Sequence, residues 1–233
     1  MSEPTAVQLE NFQDKLNYHF KDIRLLHTAL THSTWAYESA EEDVEENERM
    51  EFLGDSVLGL IISTHLYNDQ KELAEGRLSR IRAQIVREET LYEVAKDIGL
   101  GDLIKLGVGE ERTGGRDKPS NLSDCLEALL GAVYLDSDFE TCFKLVSRLF
   151  KKHYQLAIRG KLIYDYKTTL IERIQALGTD HTMEFKLVDE SGPVHERVFT
   201  VTIFIDNKPY GTGVGQAKKV AEQEAAKITL DML

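Results

Sequence analysis

A chain of 233 residues, 42% of them hydrophobic, can bury one large core or two modest ones, which excludes a disordered or fibrous protein. Its 40 acidic against 28 basic residues leave a net charge of -12, and this weighs against a simple polyanion binder, since such proteins neutralise phosphates with Lys and Arg. No apolar run is long enough for a signal peptide or a membrane span, and Cys125 and Cys142 have neither zinc nor disulfide spacing, so a cytoplasmic protein with two buried free thiols is expected.

The pattern is helical from the start. Leu9, Phe12 and Leu16 form an amphipathic opening, and Ile23, Leu25, Leu26, Ala29 and Leu30 repeat at helical spacing over 22–31. An acidic stretch follows, with Glu41, Glu42, Asp43, Glu45, Glu46 and Glu48, and it reads as a solvated loop. A helix is predicted over 48–68. There Leu53, Val57, Leu58, Leu60, Ile61, Ile62 and Leu66 surround most of the circumference and imply burial. Leu78, Ile81, Ile85, Leu91 and Val94 predict one helix over 77–97. Glycines between Gly99 and Gly115, with Pro119, mark a long loop. Within it, Gly107 to Gly115 is not directly followed by the lysine and serine of a phosphate-binding P-loop and is expected to be a flexible surface loop. An apolar helix begins near Leu122, and a further helix is predicted over 139–154. No strand is apparent in the first 155 residues.

The character changes near residue 160. A short helix over 166–177 precedes two β-rich segments, 184–188 and 197–205, separated by Gly192-Pro193. A third strand over 209–214 and a helix over 217–230 complete an α-β-β-β-α order, a second, small α+β domain.

Two of the apolar helices carry carboxylates. At about 3.6 residues per turn, Glu48, Glu51 and Asp55 fall within roughly 60° of arc, and Asp124 and Glu127 stand one turn apart. Charged groups in such a setting cost several kcal/mol each unless a cation, a partner or water compensates, and a divalent metal answers the need for all of them. A solvated acidic face is the usual explanation of such a triplet; two such helices within apolar sequence favour the metal. Gly59 and Gly131, one turn further along these faces, would leave room for metal, water or phosphate. His19, His27, His32, His65, His153 and His181 show no ligand spacing and read as structural or exposed.

The segment Asn47-Glu48-Arg49-Met50-Glu51-Phe52-Leu53-Gly54-Asp55-Ser56 resembles the signature of bacterial ribonuclease III, with Met50 where leucine is commoner. Other pieces agree in order: Ala29-Leu30-Thr31-His32-Ser33, Glu75-Gly76 with Leu78-Ser79-Arg80, Leu106-Gly107-Val108-Gly109-Glu110, and Ser123-Asp124-Cys125-Leu126-Glu127-Ala128. The tail resembles a double-stranded-RNA-binding domain through Lys167-Thr168, Leu170 and Glu172, then Gly192-Pro193-Val194-His195, then Lys218-Lys219 with Ala221-Glu222-Gln223 and Ala225-Ala226. It departs from that pattern at Ile171, where glutamine is usual, and at Ala217, where serine is usual.

The resemblance implies an all-α endonuclease domain over 1–156, a linker over 157–163 and an RNA-binding domain over 164–233. It implies an endoribonuclease that cleaves both strands of double-stranded RNA by Mg2+-dependent hydrolysis, with Mn2+ as an alternative ion. The ends would be 5'-phosphate and 3'-hydroxyl, and ribosomal-RNA precursors and other structured transcripts the substrates. Glu51, Asp55, Asp124 and Glu127 would form the metal core, Asp55 and Glu127 being catalytic, with Glu48 and Glu75 accessory. A homodimer is implied, to which the apolar Phe52-Leu53 pair fits as a subunit contact. Lys167, Thr168, His195, Lys218 and Lys219 would meet the RNA, the last two as phosphate contacts at a helix start. Neither an organic cofactor nor a membrane partner is expected.

Overall fold

The computed structural model describes residues 3–39, 44–178, 181–193 and 197–233. They form two compact units, Met1–Leu162 and Ile163–Leu233.

The first unit is helical. Helices α1 (Ala6–Leu16), α2 (Ile23–Ala29) and α3 (Ser33–Glu38) lead to α4 (Glu48–Asp69). Then come α5 (Glu75–Ile85), α6 (Glu88–Ile98), the short α7 (Val108–Arg112), α8 (Pro119–Asp136), α9 (Phe139–Leu149) and α10 (Lys151–Ile158). Thr5 and Gln8 make a reciprocal capping box at the start of α1, and Asn17 ends it in a left-handed conformation. Helix α8 is the centre of the unit: Leu122, Cys125, Leu126, Ala128, Leu129, Leu130, Ala132 and Val133 are all buried. Both cysteines are buried free thiols.

Several expectations are corrected. Residues 77–97 form two helices, because Arg87 is extended and Glu88 and Glu89 open a new first turn, where the dipole favours acids. The break is held by Thr90 Oγ1 donating to the Gln84 carbonyl and by Arg87 donating to Glu89. The helix over 139–154 is interrupted at Phe150, whose ring is buried, and continues to Ile158. Helix α3, with Trp35 buried, lies where no element was expected. The 99–119 region is no open loop. It contains α7, and Thr31 and Lys105 form an isolated parallel bridge. Asn121 Nδ2 donates to Glu110 at 2.8 Å and to the Gly115 carbonyl at 3.1 Å, anchoring this segment to the start of α8.

Helix α4 is also less buried than its apolar circumference implies. Val57, Leu58, Ile61, Ile62 and Leu66 face the core, but Phe52 is 79% exposed and Leu60 56%. The opposite face packs on α8 at a very close crossing. A Cβ on Gly54 would fall on the Glu127 carbonyl, and one on Gly131 would fall on the carbonyl of Met50. Gly131 therefore makes room for the backbone of α4 and not for a metal or phosphate, whereas the space beside Gly59 is open.

The second unit is α11 (Tyr166–Ala176), a three-stranded antiparallel sheet and α12 (Lys218–Met232). The strands β1 (Met183–Ser191), β2 (Val198–Ile205) and β3 (Lys208–Gly215) pair in sequence order. Asp206 and Asn207 both have positive φ, the conformation that a two-residue hairpin needs between β2 and β3. Leu170 and Ile174 of α11, Val201, Ile203 and Ile205 of β2, and Ala221, Ala225 and Ala226 of α12 make the core.

Overpacking at the α4–α8 crossing has no side chain to push aside, only backbone. Gly131→Ala is expected to destabilise the first unit by at least about 1–3 kcal/mol, read as a lower urea midpoint at unchanged slope.

Candidate active site

The crossing at Gly54 and Gly131 decides which carboxylates meet. Glu51 lies one turn before Asp55 on α4, and Asp124 and Glu127 lie at i, i+3 on α8. With the two backbones in contact, one carboxylate oxygen from each of Glu51, Asp124 and Glu127 comes within 4.8 Å of the others. Oxygens bound to one divalent ion at about 2.0–2.6 Å are separated by no more than about 5 Å, so this spacing fits a single hard cation.

Electrostatics point the same way. No ion pair reaches Glu51, Asp55, Asp124 or Glu127 among the described residues. Burial, followed by repulsion from Asp55, Glu51 and Asp124, pushes the Glu127 carboxyl up to about 8. Burial and then Asp124, Glu48, Glu46 and Asp55 raise Glu51. Asp124 is raised by burial against the opposing pull of Ser123, which donates a hydrogen bond at 3.3 Å, and of His32 and Lys118. Such mutual repulsion is what a bound cation relieves.

The remaining site residues are placed as follows. Asp55 is exposed and outside the triplet, but its charge is the largest neighbouring influence on Glu127. Glu48 is exposed at the start of α4 and acts on Glu51 through its charge. Glu75 opens α5, accepts a hydrogen bond from Ser79 at 2.7 Å and is not part of the cluster. His32 caps α3, its Nδ1 accepting from the Thr34 amide.

Sequence reasoning missed the residues that hold the two acidic helices in place. Asn47 is buried, donates its side-chain amide to the Ala29 carbonyl and bonds the Thr31 carbonyl through its own N–H. Glu110, with Asn121 and Lys118, pins the start of α8. Both lie inside the motif segments, and no periodicity marks them.

In the second unit, Lys218 and Lys219 are exposed on the first turn of α12, whose cap residue Ala217 offers no side-chain bond to the free N–H groups. Thr168 Oγ1 donates to Asp165, the cap of α11. Lys167 is committed within the unit, donating to Glu222 at 2.5 Å. Ile171 lines a shallow cleft with Ile174, Met183 and Phe185. His195 lies outside the described residues.

A helical unit with a carboxylate cluster at a helix crossing, joined to an α-β-β-β-α unit with lysines at a helix start, fits a metal-dependent nuclease with an RNA-binding module. The family comparisons agree: residues 22–153 match the "Ribonuclease-III-like" family and residues 166–233 the "Double-stranded RNA binding motif". The Ribonuclease 3 of Caldanaerobacter subterraneus subsp. tengcongensis is 45% identical over 225 residues, 97% of this chain and 98% of that protein. That of Moorella thermoacetica is 40% identical over 233 residues, covering 100% and 98%. The nuclease domain of ribonuclease III from Campylobacter jejuni aligns with a TM-score of 0.58 at 41% identity, covering 63% of this chain and 99% of that domain. The chain belongs to the bacterial ribonuclease III family and is an endoribonuclease of double-stranded RNA. No helix among the described residues is long and apolar enough to cross a membrane.

The raised Glu127 carboxyl has a stability consequence. A carboxyl whose folded pKa exceeds the unfolded value contributes stability below the unfolded pKa, about 4.3, and loses it as pH rises through about 8. In metal-free buffer, Glu127→Gln is therefore expected to be more stable than the parent at pH 8 and to converge with it near pH 4.5. Thermal unfolding across that range checks this, and equal midpoints at pH 8 would refute the assigned burial and repulsion.

Proposed function

We propose that the chain cleaves both strands of double-stranded RNA by Mg2+-dependent hydrolysis, leaving 5'-phosphate and 3'-hydroxyl ends, with Mn2+ as an alternative ion. The observation that carries this reading is the convergence of Glu51, Asp124 and Glu127 with no ion-paired cation among the described residues. Hard oxygen donors in that number suit Mg2+, which when bound supplies Lewis acidity at the phosphate and a more acidic water. Glu51, Asp124 and Glu127 each offer one oxygen to the ion. Asp55, exposed one turn along α4 from Glu51, would accept a proton from the attacking water. Glu48 tunes Glu51 from the rim, and Glu75 is an accessory group nearer the RNA. We assign residues 1–156 to catalysis and 164–233 to RNA recognition, with 157–163 connecting them, its first two residues being the end of α10 and Leu162 still packed as part of the first unit. Lys218 and Lys219 meet phosphates there, Thr168 and His195 face the minor groove, and structured transcripts such as ribosomal-RNA precursors in the cytoplasm are the substrates.

The working form is a homodimer. Phe52 protrudes from α4 next to Leu53, which lines a 470 Å³ cleft with Thr28, Glu45, Glu46, Met50 and Leu135. A knob and a cleft on one face are self-complementary under a two-fold axis. The Campylobacter domain is itself described as having a region involved in dimer formation.

Incubating a long RNA duplex with the parent and with Glu127→Ala, with and without Mg2+, tests the reaction. Cleavage only by the parent with Mg2+, at least about 10³-fold faster than the variant, is expected for loss of an ion ligand. Equal rates would end the assignment. Phe52→Asp is expected to shift the protein from dimer to monomer in sedimentation, and an unchanged mass would place the subunit contact elsewhere.

A further inference from the structure

Lys167, like Lys186, combines an acidic partner with an aromatic ring, but its partner lies on a different helix and is nearly buried. Its ammonium donates to Glu222 at 2.5 Å and stands 4.7 Å from the centroid of the Phe185 ring. Glu222 is only 13% exposed while Lys167 is 35% exposed, so the pair is half-sheltered, anchored on its acidic side. Beside it, the Lys167 backbone N–H donates to Gln223 Oε1 at 3.2 Å, and Gln223 Nε2 donates to Asp165 at 2.8 Å. Hydrogen bonds from Gln223 and Thr168 hold the Asp165 carboxyl down at about 2, so it remains an acceptor at any working pH. Three contacts thus tie the first turn of α11 to the first turns of α12. Those turns carry Thr168 and the Lys218-Lys219 pair, and neither lysine has an ion-pair partner among the described residues.

We infer that Lys167 serves RNA recognition as a positioning residue acting through Glu222, without touching RNA, and that Lys167–Glu222 and Asp165–Gln223 form a clip fixing the spacing between the minor-groove and phosphate contacts. The inference rests on the proposed recognition of duplex RNA by this unit. Duplex RNA is read by shape, across two minor grooves and the phosphates between them. A reader of shape needs its contacts at a fixed separation, and a half-sheltered pair between two helices, backed by the Gln223 and Asp165 hydrogen bonds, supplies that rigidity more directly than another surface cation.

Duplex RNA binding by the full chain in EDTA, followed by anisotropy across a salt series, separates the alternatives. Lys167→Met is expected to weaken binding on the order of fivefold with an unchanged slope of log K against log salt. In the cycle of Lys167→Glu, Glu222→Lys and the double exchange, the double variant is expected to recover at least about fivefold over the sum of the single losses. The Glu222→Lys single variant controls for the added cation. A slope reduced by about one with no recovery would mean that Lys167 contacts a phosphate directly, and would overturn the inference. Unchanged affinity in Lys167→Met would overturn it as well. If Lys167→Glu does not fold, the salt slope of Lys167→Met decides alone. A parent that binds no duplex would overturn the recognition reading itself, a result distinct from a binding parent whose exchange fails.

Discussion

The backbone contact between α4 and α8 is the constraint on which the catalytic unit depends. Two glycines allow the helices to meet with carbonyls where side chains would ordinarily stand. That approach draws Glu51 to Asp124 and Glu127, and it also concentrates three carboxylates in a place that burial makes unfavourable for charge. The fold thus holds electrostatic strain at the site, sustained by the rest of α8, which is buried along nearly its whole length. A bound cation would relieve that strain, and Glu51, Asp124 and Glu127 on the same pair of helices would hold it.

Much of this was legible in the sequence. Carboxylates at helical spacing among Leu, Ile and Val could be read directly, and the motif segments pointed to the family. The crossing could not be read so simply. Gly131 is on the same face as Glu127, and from spacing alone it suggested an open space for ligand; only the packing shows that the space is filled by the Met50 carbonyl. Element boundaries failed where one buried stripe continued across a break. Leu78, Ile81, Ile85, Leu91 and Val94 keep helical rhythm through Arg87, although the backbone there is extended. Asn47 and Glu110 went unnoticed because they act through hydrogen bonds to neighbouring backbone and side chains, which have no period to detect.

The charge balance also changes meaning when placed on the structure. A chain at -12 is a poor match for RNA if its acids are spread evenly. Here several have local duties. Glu46 accepts from the Glu48 N–H at the start of α4, Asp136 receives the Lys21 and Asp22 N–H groups, and Asp165 caps α11. Others form the cluster. In the second unit Glu222 pairs with Lys167, and the exposed lysines at the start of α12 are the ones proposed to meet phosphate.

Helix α4 links the two demands made on the catalytic unit. Glu51 and Phe52 are adjacent, about 100° apart around the helix, so one faces α8 while the other is bare. Leaving a phenyl ring exposed forfeits on the order of 2 kcal/mol of burial, which a soluble monomer has reason to avoid and a self-associating one recovers. In the proposed dimer a rotation of α4 that improved the subunit contact would swing Glu51 away from Asp124. The glycine crossing resists such a rotation, because Gly54 and Gly131 admit the partner backbone in only one register. The same close approach that assembles the carboxylates therefore fixes the direction in which Phe52 points, and a subunit contact built on that ring would inherit the geometry of the cluster.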